Sequence, residues 1–154
     1  MASAHHRFAM CQLAAEPLGY QVSDLEIRRE SDSYTVFTLH QLKQQFPRDI
    51  FYLLMGEDMF LTLSQWKDPE EIFSLATLCV SPRSEDLEGM QRLHRHAKQL
   101  EGMGANSMIF DIPYLPVSST EIRGAIQQGC GLERLVPPIV AAYISQHHLY
   151  QDSL

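Results

Sequence analysis

Three short apolar runs, separated by amphipathic stretches, constrain the fold of this chain most strongly. Residues 49–56, 75–82 and 107–112 each have the composition of a buried strand, and the first run ends in Gly56. Continuous apolar runs of this length are typical of parallel strands that are covered on both faces. Strands that alternate with helices predict an α/β domain with a mostly parallel, doubly wound sheet. Right-handed crossovers are expected to place helices on both faces of it.

Helical periodicity predicts that most of the remaining chain is helical. The exception is a predicted strand around Asp24, where apolar and polar residues alternate but the alternation shifts by one residue. The predicted helices cover residues 3–15, 31–46, 68–73, 85–101, 118–128 and 138–147. Pro47 ends the second of these helices, and Pro138 suits the first turn of the last. In the fourth helix, the residues expected inside are Leu87, Met90, Leu93, Ala97 and Leu100.

The composition limits the classes of partner. The chain has 154 residues, which fits one domain at 1–154, and its 12 basic and 19 acidic residues give a formal charge of −7. This charge argues against a broad surface for nucleic acid or an anionic membrane. Three widely separated cysteines are expected to be reduced thiols in a cytoplasmic protein. No apolar run approaches the roughly 20 residues of a membrane span, and the N-terminus lacks the apolar core of a signal peptide.

The segment S-S-T-E-I-R carries three adjacent hydroxyls into the first turn of a predicted helix. Ser118 and Glu121 have the spacing of a capping box, and capping alone explains both residues. The alternative is an anion site, because this helix follows a strand and is expected to begin at the carboxyl edge of the sheet, where α/β domains bind ligands. Free amides, the hydroxyls of Ser119 and Thr120, and the Arg123 guanidinium would then face phosphate oxygens. Both interpretations stay open at this point.

Three other places in the sequence have an ordinary interpretation, and the first two also have a functional one. Gly56 lets a ligand approach the end of its strand. The acids Glu57 and Asp58 beyond it either accept hydrogen bonds from ribose hydroxyls or cap the next helix. Trp66, the sole tryptophan, is either a packing residue or a plate that stacks on an aromatic ligand ring. Ser33 and Thr35 are expected to cap the helix that begins there.

Common catalytic signatures are absent from the sequence. The histidines have no i, i+4 spacing with an acid, so there is no zinc signature, and solvated helix faces are their better interpretation. There is no Ser-His-acid set, no G-x-S-x-G, no G-x-x-x-x-G-K and no G-x-G-x-x-G.

Several blocks together resemble the bacterial nicotinate-nucleotide adenylyltransferases. These are V-S-D-L-E-I-R-R-E-S-D-S-Y-T-V-F-T-L, M-G-E-D-M-F-L-T-L-S-Q-W-K, S-S-T-E-I-R, L-V-P-P-x-V-A-x-Y-I and the terminal H-x-L-Y. The likeness runs over essentially the whole chain in the family's order. S-S-T-x-I-R alone marks a wider nucleotidyltransferase superfamily, whereas the S-Y-T-V-x-T-L block and the tryptophan after G-x-D are more specific.

The resemblance implies a Rossmann-like nucleotidyltransferase domain that functions in NAD biosynthesis. Members of this family transfer AMP from ATP to nicotinate mononucleotide, giving deamido-NAD and pyrophosphate, with Mg²⁺. By the same resemblance, Ser119, Thr120 and Arg123 hold the ATP phosphates.

The resemblance also assigns residues to the other parts of the dinucleotide. Gly56 and Asp58 would meet its adenosine side, while Thr35, Trp66 and the backbone at Lys67 would line the nicotinate pocket, with Trp66 stacking on the ring. Two positions depart from the family pattern. M-G-E-D-M stands where G-A-D is common, and Lys67 stands where an aromatic residue or histidine is frequent. A lysine there is expected to favour the nicotinate carboxylate.

The family's opening strand and its G-x-F-D-P-x-H-x-G-H segment have no counterpart in this sequence. We therefore expect an N-terminally truncated domain that lacks the first strand or strands of the sheet, on the order of 30 residues or more. No catalytic residue is assigned, because His5 and His6 lie inside a predicted helix and cannot replace the H-x-G-H pair. Loss of that pair is expected to cost several orders of magnitude in rate, and loss of the strand to expose an apolar edge beside residues 50–55.

Two other functions remain open. The chain could be a non-catalytic nucleotide-binding remnant or subunit. It could also be a sister adenylyltransferase with another acceptor, such as phosphopantetheine, although Trp66 and the S-Y-T block argue against that acceptor. The expected partners are ATP and nicotinate mononucleotide, with no nucleic acid, no membrane and no protein metal site. A homo-oligomer and the preference between nicotinate and nicotinamide nucleotides are left open.

Overall fold

The computed structural model describes residues 2–30, 32–83, 87–110, 112, 117–132 and 134–151. The chain divides into two compact units. Residues 1–30 and 116–154 form one, here called the helical unit, and residues 31–115 form the other, here called the sheet unit. None of the described helices combines the length and the apolar character that crossing a membrane requires.

The described elements follow the predicted order, except that helix α3 was not predicted and the strand predicted around Asp24 does not form. They are α1 (Ala4–Ala15), α2 (Thr35–Gln45), β1 (Phe51–Gly56), α3 (Glu57–Thr62), α4 (Pro69–Leu75), β2 (Ala76–Ser81), α5 (Leu87–Glu101), β3 (Ser107–Ile109), α6 (Ser119–Gln127) and α7 (Pro138–Gln146). Short 3₁₀ turns follow α1 and α3.

The sheet of the sheet unit is parallel, with the strand order β1-β2-β3. Gly56 lies opposite Ser81, and Val80 lies opposite Ile109, so the carboxyl ends of β1 and β2 lie side by side. The prediction of a parallel α/β sheet is confirmed. The helical connections α3–α4 and α5 join successive neighbouring strands, as parallel pairing requires.

One face of this sheet carries the core of the sheet unit. Alternate residues of β2 point into it, because side chains alternate between the two faces of a strand. Helices α2 to α5 all contribute to the same cluster. Its largest buried residues are Val36, Leu39, Phe60, Leu63, Ile72, Phe73, Leu78, Val80, Leu93 and Leu100.

The prediction that β1 is covered on both faces is wrong. Tyr52 is 55% exposed, Leu54 is 75% exposed, and Met108 on the same face of β3 is 46% exposed. The physical reason lies in the strand order. Each right-handed crossover here adds the next strand on the same side of the previous one, so the connecting helices all lie on one face of the sheet. The opposite face would be covered only if the strand order reversed direction. Among the described strands, β1 pairs only with β2, so its outer edge lacks a partner strand.

Two local sequence predictions are also wrong. No strand forms around Asp24; the chain turns there instead, with an ion pair of 2.6 Å between Arg28 Nε and Asp24 Oδ2. Tyr20 and Ile27, which were expected to alternate into a sheet, are 70% and 48% exposed. Leu87 was expected inside, but it is the first residue of α5 and is 74% exposed.

The helical unit has its own apolar cluster. Val140 and Ile144 of α7 are buried in it, and Met10 and Leu13 of α1 pack against them. Helix α1 starts as predicted, with a bond from the amide of His6 to the hydroxyl of Ser3.

Candidate nucleotide site

Helix α6 begins with the capping box that the sequence predicts. The amide of Glu121 donates to Ser118 Oγ at 3.1 Å, and the amide of Ser118 donates to Glu121 Oε2 at 2.9 Å. The capping interpretation is therefore confirmed. The box uses the amides of Ser118 and Glu121, and those of Ser119 and Thr120 are not part of it.

The three residues predicted to hold phosphate lie together on the first turns of α6. Ser119 and Thr120 are exposed, Arg123 is half-buried, and Arg123 Nη2 lies 3.5 Å from Thr120 Oγ1. Ser119 and Arg123 also line a pocket of about 170 Å³, otherwise formed largely by apolar side chains of the helical unit. Hydroxyl and guanidinium donors thus meet at the amino end of a helix dipole, an arrangement suited to an anion.

Removal of the cap tests how much the capping box contributes to stability. Ser118→Ala is expected to lower the free energy of unfolding by about 1 kcal/mol, because one first-turn amide loses its acceptor. Urea unfolding measures this loss, and Ser145→Ala on the exposed side of α7 is the matched control. An unchanged midpoint would show that the box contributes nothing to stability.

A second group of predicted residues surrounds a pocket in the sheet unit. The pocket has a volume of about 330 Å³, close to the lower limit for small-molecule sites. It is lined by Ser33, Tyr34, Thr35, Gln65, Trp66, Lys67 and Ile72. The structure therefore brings together all three residues that the resemblance assigns to nicotinate.

Helix α2 contributes the first wall of this pocket. Its N-cap is Tyr34, and no side chain caps the helix. The expectation that Ser33 and Thr35 cap α2 is therefore wrong. Both line the pocket instead, Ser33 exposed and Thr35 half-buried.

Trp66 combines the two interpretations that its sequence context allows. It is half-buried and packs against the core of the sheet unit, and it also lines the pocket. Its indole Nε1 donates to Thr62 Oγ1 at 3.4 Å, which helps to fix the ring. A fixed aromatic ring beside an open pocket is a suitable stacking surface for a flat heterocycle.

Lys67 places a cation at the same pocket. Its ammonium lies 5.9 Å from the ring centres of both Tyr34 and Phe37, and 3.3 Å from Asp68 Oδ2. The side chain is 41% exposed, so water weakens each of these interactions. Asp68 adopts a positive φ of 47°, an uncommon backbone conformation for a residue with a side chain.

Gly56 and Asp58 lie at the carboxyl end of β1. A Cβ added to Gly56 would meet no atom within 4 Å, so the space above this strand end is open. Asp58 is exposed, and its Oδ2 pairs with Arg83 Nη1 at 2.6 Å. No side chain caps α3, which excludes capping as the role of Asp58.

Glu57, predicted to meet ribose hydroxyls or to cap the next helix, instead belongs to a group of charges at this strand end, and no side chain caps α3. Glu57 is 2% exposed, and its carboxylate binds the backbone amide of Arg83 and the guanidinium of Arg92. An acid after the last glycine of one strand and an arginine after the end of the next strand were the available signals. Sequence alone does not pair residues 26 and 35 positions apart.

The described residues contain no group of three His, Cys, Asp or Glu side chains that could hold a metal ion. His6, one of the two histidines considered above, is engaged within the helical unit. Its Nδ1 and the hydroxyl of Tyr143 are hydrogen-bonded at 2.9 Å, and its ring lies 5.0 Å from that of His147.

Comparison with known proteins defines the class. The family described as cytidylyltransferase-like matches residues 1–125, so the chain is a nucleotidyltransferase of this class. A Synechococcus protein (strain JA-3-3Ab) named "Probable nicotinate-nucleotide adenylyltransferase" is 41% identical over 98% of this chain and 72% of its own length. A Shewanella pealeana protein of the same name is 32% identical over 97% of this chain and 74% of its own. The chain belongs to the nicotinate-nucleotide adenylyltransferase family.

Solved structures show the same fold. Nicotinic acid mononucleotide adenylyltransferase of Plasmodium falciparum, solved with APC and with NaAD, superposes with a TM-score of 0.73. The alignment with the APC complex covers 99% of this chain and 78% of that one, at 18% identity. These structures confirm the Rossmann-like fold class inferred from the sequence, and the relatives described above confirm the family resemblance.

Proposed function

We propose that this chain transfers AMP from ATP to nicotinate mononucleotide, giving deamido-NAD and pyrophosphate. In this reaction the 5′-phosphate of the acceptor attacks the α-phosphorus of ATP, and pyrophosphate leaves. The pocket around Trp66 is the observation that supports the proposal most strongly. Thr35, Trp66 and Lys67, the three residues that the resemblance assigns to nicotinate, all line it. Relatives that bear the name of this activity match nearly the whole chain.

The amino end of α6 is proposed to hold the ATP phosphates. Ser119 and Thr120 offer hydroxyls and first-turn amides, and Arg123 offers a planar fork of donors that fits phosphate oxygens. Phosphoryl transfer depends mainly on positioning and electrostatics. These residues are therefore proposed to bind and orient ATP, and we assign to none of them a proton transfer or a covalent intermediate.

The metal proposed for the reaction is Mg²⁺, which enters with ATP. Magnesium usually keeps several waters and is held by substrate phosphates with one or two carboxylates. The described residues offer no cage of three ligating side chains, and a metal bound in this way does not need one. The ion supplies charge neutralisation on the phosphates when it is bound.

Lys67 is proposed to favour a nicotinate over a nicotinamide ring. Lys67→Met is expected to reduce the ratio of affinities for the two mononucleotides about three- to tenfold, since one partly exposed charge interaction is worth about 1 kcal/mol. Calorimetry with both mononucleotides measures the ratio. Lys98→Met, which removes the same charge from the exposed surface of α5, is expected to leave it unchanged. An unchanged ratio in Lys67→Met would show that the pocket selects its acceptor by other groups.

A pyrophosphate-release assay tests the proposed activity, and it separates catalysis from binding alone. The assay is run with ATP and nicotinate mononucleotide on the 154-residue chain and on a chain extended by the residues that the DNA upstream of Met1 encodes. We expect turnover from a chain that includes an H-x-G-H segment, and binding with very slow turnover from the chain without it. Rapid turnover by the short chain would contradict the role given to that segment.

The alternative function is a nucleotide-binding remnant or subunit. One observation favours keeping it: His6, which was considered above as a replacement for a catalytic histidine, is hydrogen-bonded to Tyr143. This alternative would be supported if the 154-residue chain and the extended chain both bind the two substrates and neither releases pyrophosphate. The proposed location is the cytoplasm, which is consistent with the unpaired thiols of Cys11, Cys79 and Cys130.

A further inference from the structure

A buried carboxylate links three elements at the carboxyl end of the sheet. Glu57, the first residue of α3, is 2% exposed. Its Oε2 accepts from the backbone amide of Arg83 at 3.0 Å, and its Oε1 accepts from the guanidinium of Arg92 on α5. It therefore joins the end of β1 to the loop after β2 and to the helix that follows.

Such a pair is a poor device for stability alone. Burial removes the Glu57 charge from water at a cost in free energy, whereas the Arg92 side chain stays 59% exposed, so solvent weakens its attraction for Glu57. What a fully bonded buried carboxylate provides is a defined geometry, because its acceptor sites must meet particular donors. The geometry fixed here is that of the Arg83 backbone relative to the end of β1.

That geometry controls a second pair, which is open to solvent. The side chain of Arg83 extends from the fixed backbone to Asp58, where Nη1 and Oδ2 are 2.6 Å apart, and both side chains are about 60% exposed (60% and 63%). Asp58 directly follows Glu57 and lies beside the open space at Gly56. The buried Glu57 carboxylate and the exposed Asp58–Arg83 pair thus hold the two neighbouring strand ends together.

We propose that Glu57 is a positioning residue that sets the Asp58–Arg83 pair to bind the ribose hydroxyls of ATP. The inference rests on the proposed function and on the family resemblance, which assigns Gly56 and Asp58 to the adenosine side of the dinucleotide. Glu57 touches no substrate itself. It anchors the Arg83 backbone, Arg83 orients the Asp58 carboxylate, and the remaining acceptor sites of that carboxylate face the ribose.

The test compares ATP with 2′,3′-dideoxy-ATP, which lacks the ribose hydroxyls. Calorimetry on the full chain is expected to show that the wild type binds ATP about tenfold more tightly than the dideoxy compound, the size expected for hydrogen bonds to a charged acceptor. Glu57→Gln is expected to bring this ratio close to one while changing the affinity for nicotinate mononucleotide less than about twofold. Glu101→Gln, the same chemical change at an exposed site of α5, is expected to keep the wild-type ratio.

Arg83→Ala is the second variant, in case Glu57→Gln does not fold. Its side chain is exposed, and the backbone amide that Glu57 binds is retained, so the variant is expected to fold. It is also expected to abolish the discrimination between the two nucleotides. A purely structural role for Glu57 would lower the melting temperature of Glu57→Gln and leave the ratio as in the wild type, and that result overturns the inference.

The outcomes also separate this inference from the proposed function. If the wild type binds both substrates and the ratio persists in Glu57→Gln or, where that variant does not fold, in Arg83→Ala, the inference alone is wrong. If the wild type binds neither ATP nor nicotinate mononucleotide, the proposed function is wrong and the inference falls with it.

Discussion

Replacement of Arg123 by alanine is expected to weaken ATP binding about 10- to 100-fold. Hydrogen bonds from a guanidinium to a charged oxygen contribute about 1.5–3 kcal/mol, and each 1.4 kcal/mol corresponds to a factor of ten. Arg123 is half-buried on the second turn of α6, and its Nη2 lies 3.5 Å from Thr120 Oγ1. Titration calorimetry with ATP and Mg²⁺ measures the change.

Two controls decide whether the loss belongs to the phosphates. Arg95→Ala removes the same charge from an exposed site of α5 and is expected to leave ATP affinity within about twofold of the wild type, as for a distant site. Arg123→Ala is also expected to leave adenosine binding unchanged, because adenosine has no phosphate. An equal loss for adenosine and ATP would contradict a phosphate role for Arg123.

Replacement of Trp66 by alanine is expected to weaken binding of nicotinate mononucleotide about 10- to 100-fold. Stacking of a flat ring on an aromatic side chain is worth about 1–3 kcal/mol, and the Trp66 ring lines the pocket from a fixed position. ATP affinity is expected to stay near the wild-type value. Calorimetry with each nucleotide separately measures both affinities.

Trp66→Phe is the matched variant for this prediction. It keeps an aromatic surface and loses the bond from Nε1 to Thr62, so it is expected to retain most of the acceptor affinity. Trp66 also packs against the core, and both variants are therefore checked by thermal unfolding before binding is interpreted. Equal weakening of acceptor and ATP by Trp66→Ala would identify a packing role alone.

The order of elements could be predicted because apolar runs and helical periodicity are local signals. The capping box at Ser118 and Glu121 and the parallel strands around Gly56 and Leu78 follow from patterns within a few residues. The features that local patterns did not predict depend on which strands pair and which faces are covered. Apolar alternation around Asp24 predicted a strand, yet a strand forms only where another offers a partner edge. The apolar run of β1 predicted burial on both faces, but Leu54 is 75% exposed because the helices of the sheet unit pack on one face.

In the candidate site, too, some residues could be predicted from local sequence and others could not. The first-turn hydroxyls of α6 and the single tryptophan are visible in the sequence as residue types at a strand or helix end. The roles of Glu57 and Ser33 are not, because each depends on contacts formed only in the fold. Glu57 has a typical helix-start position, but its partners Arg83 and Arg92 come from a loop and a helix further along the chain. Ser33 has the sequence of a cap and instead lines a pocket wall.

The central claim is that the amino end of α6 binds the phosphates of ATP, and amide chemical shifts test it most directly. Titration of ¹⁵N-labelled protein with ATP and Mg²⁺ is predicted to shift the amide resonances of Ser119 and Thr120, whereas adenosine at matched occupancy leaves them in place. Resonances that stay fixed during saturation with ATP, or that move equally with adenosine, would contradict the account.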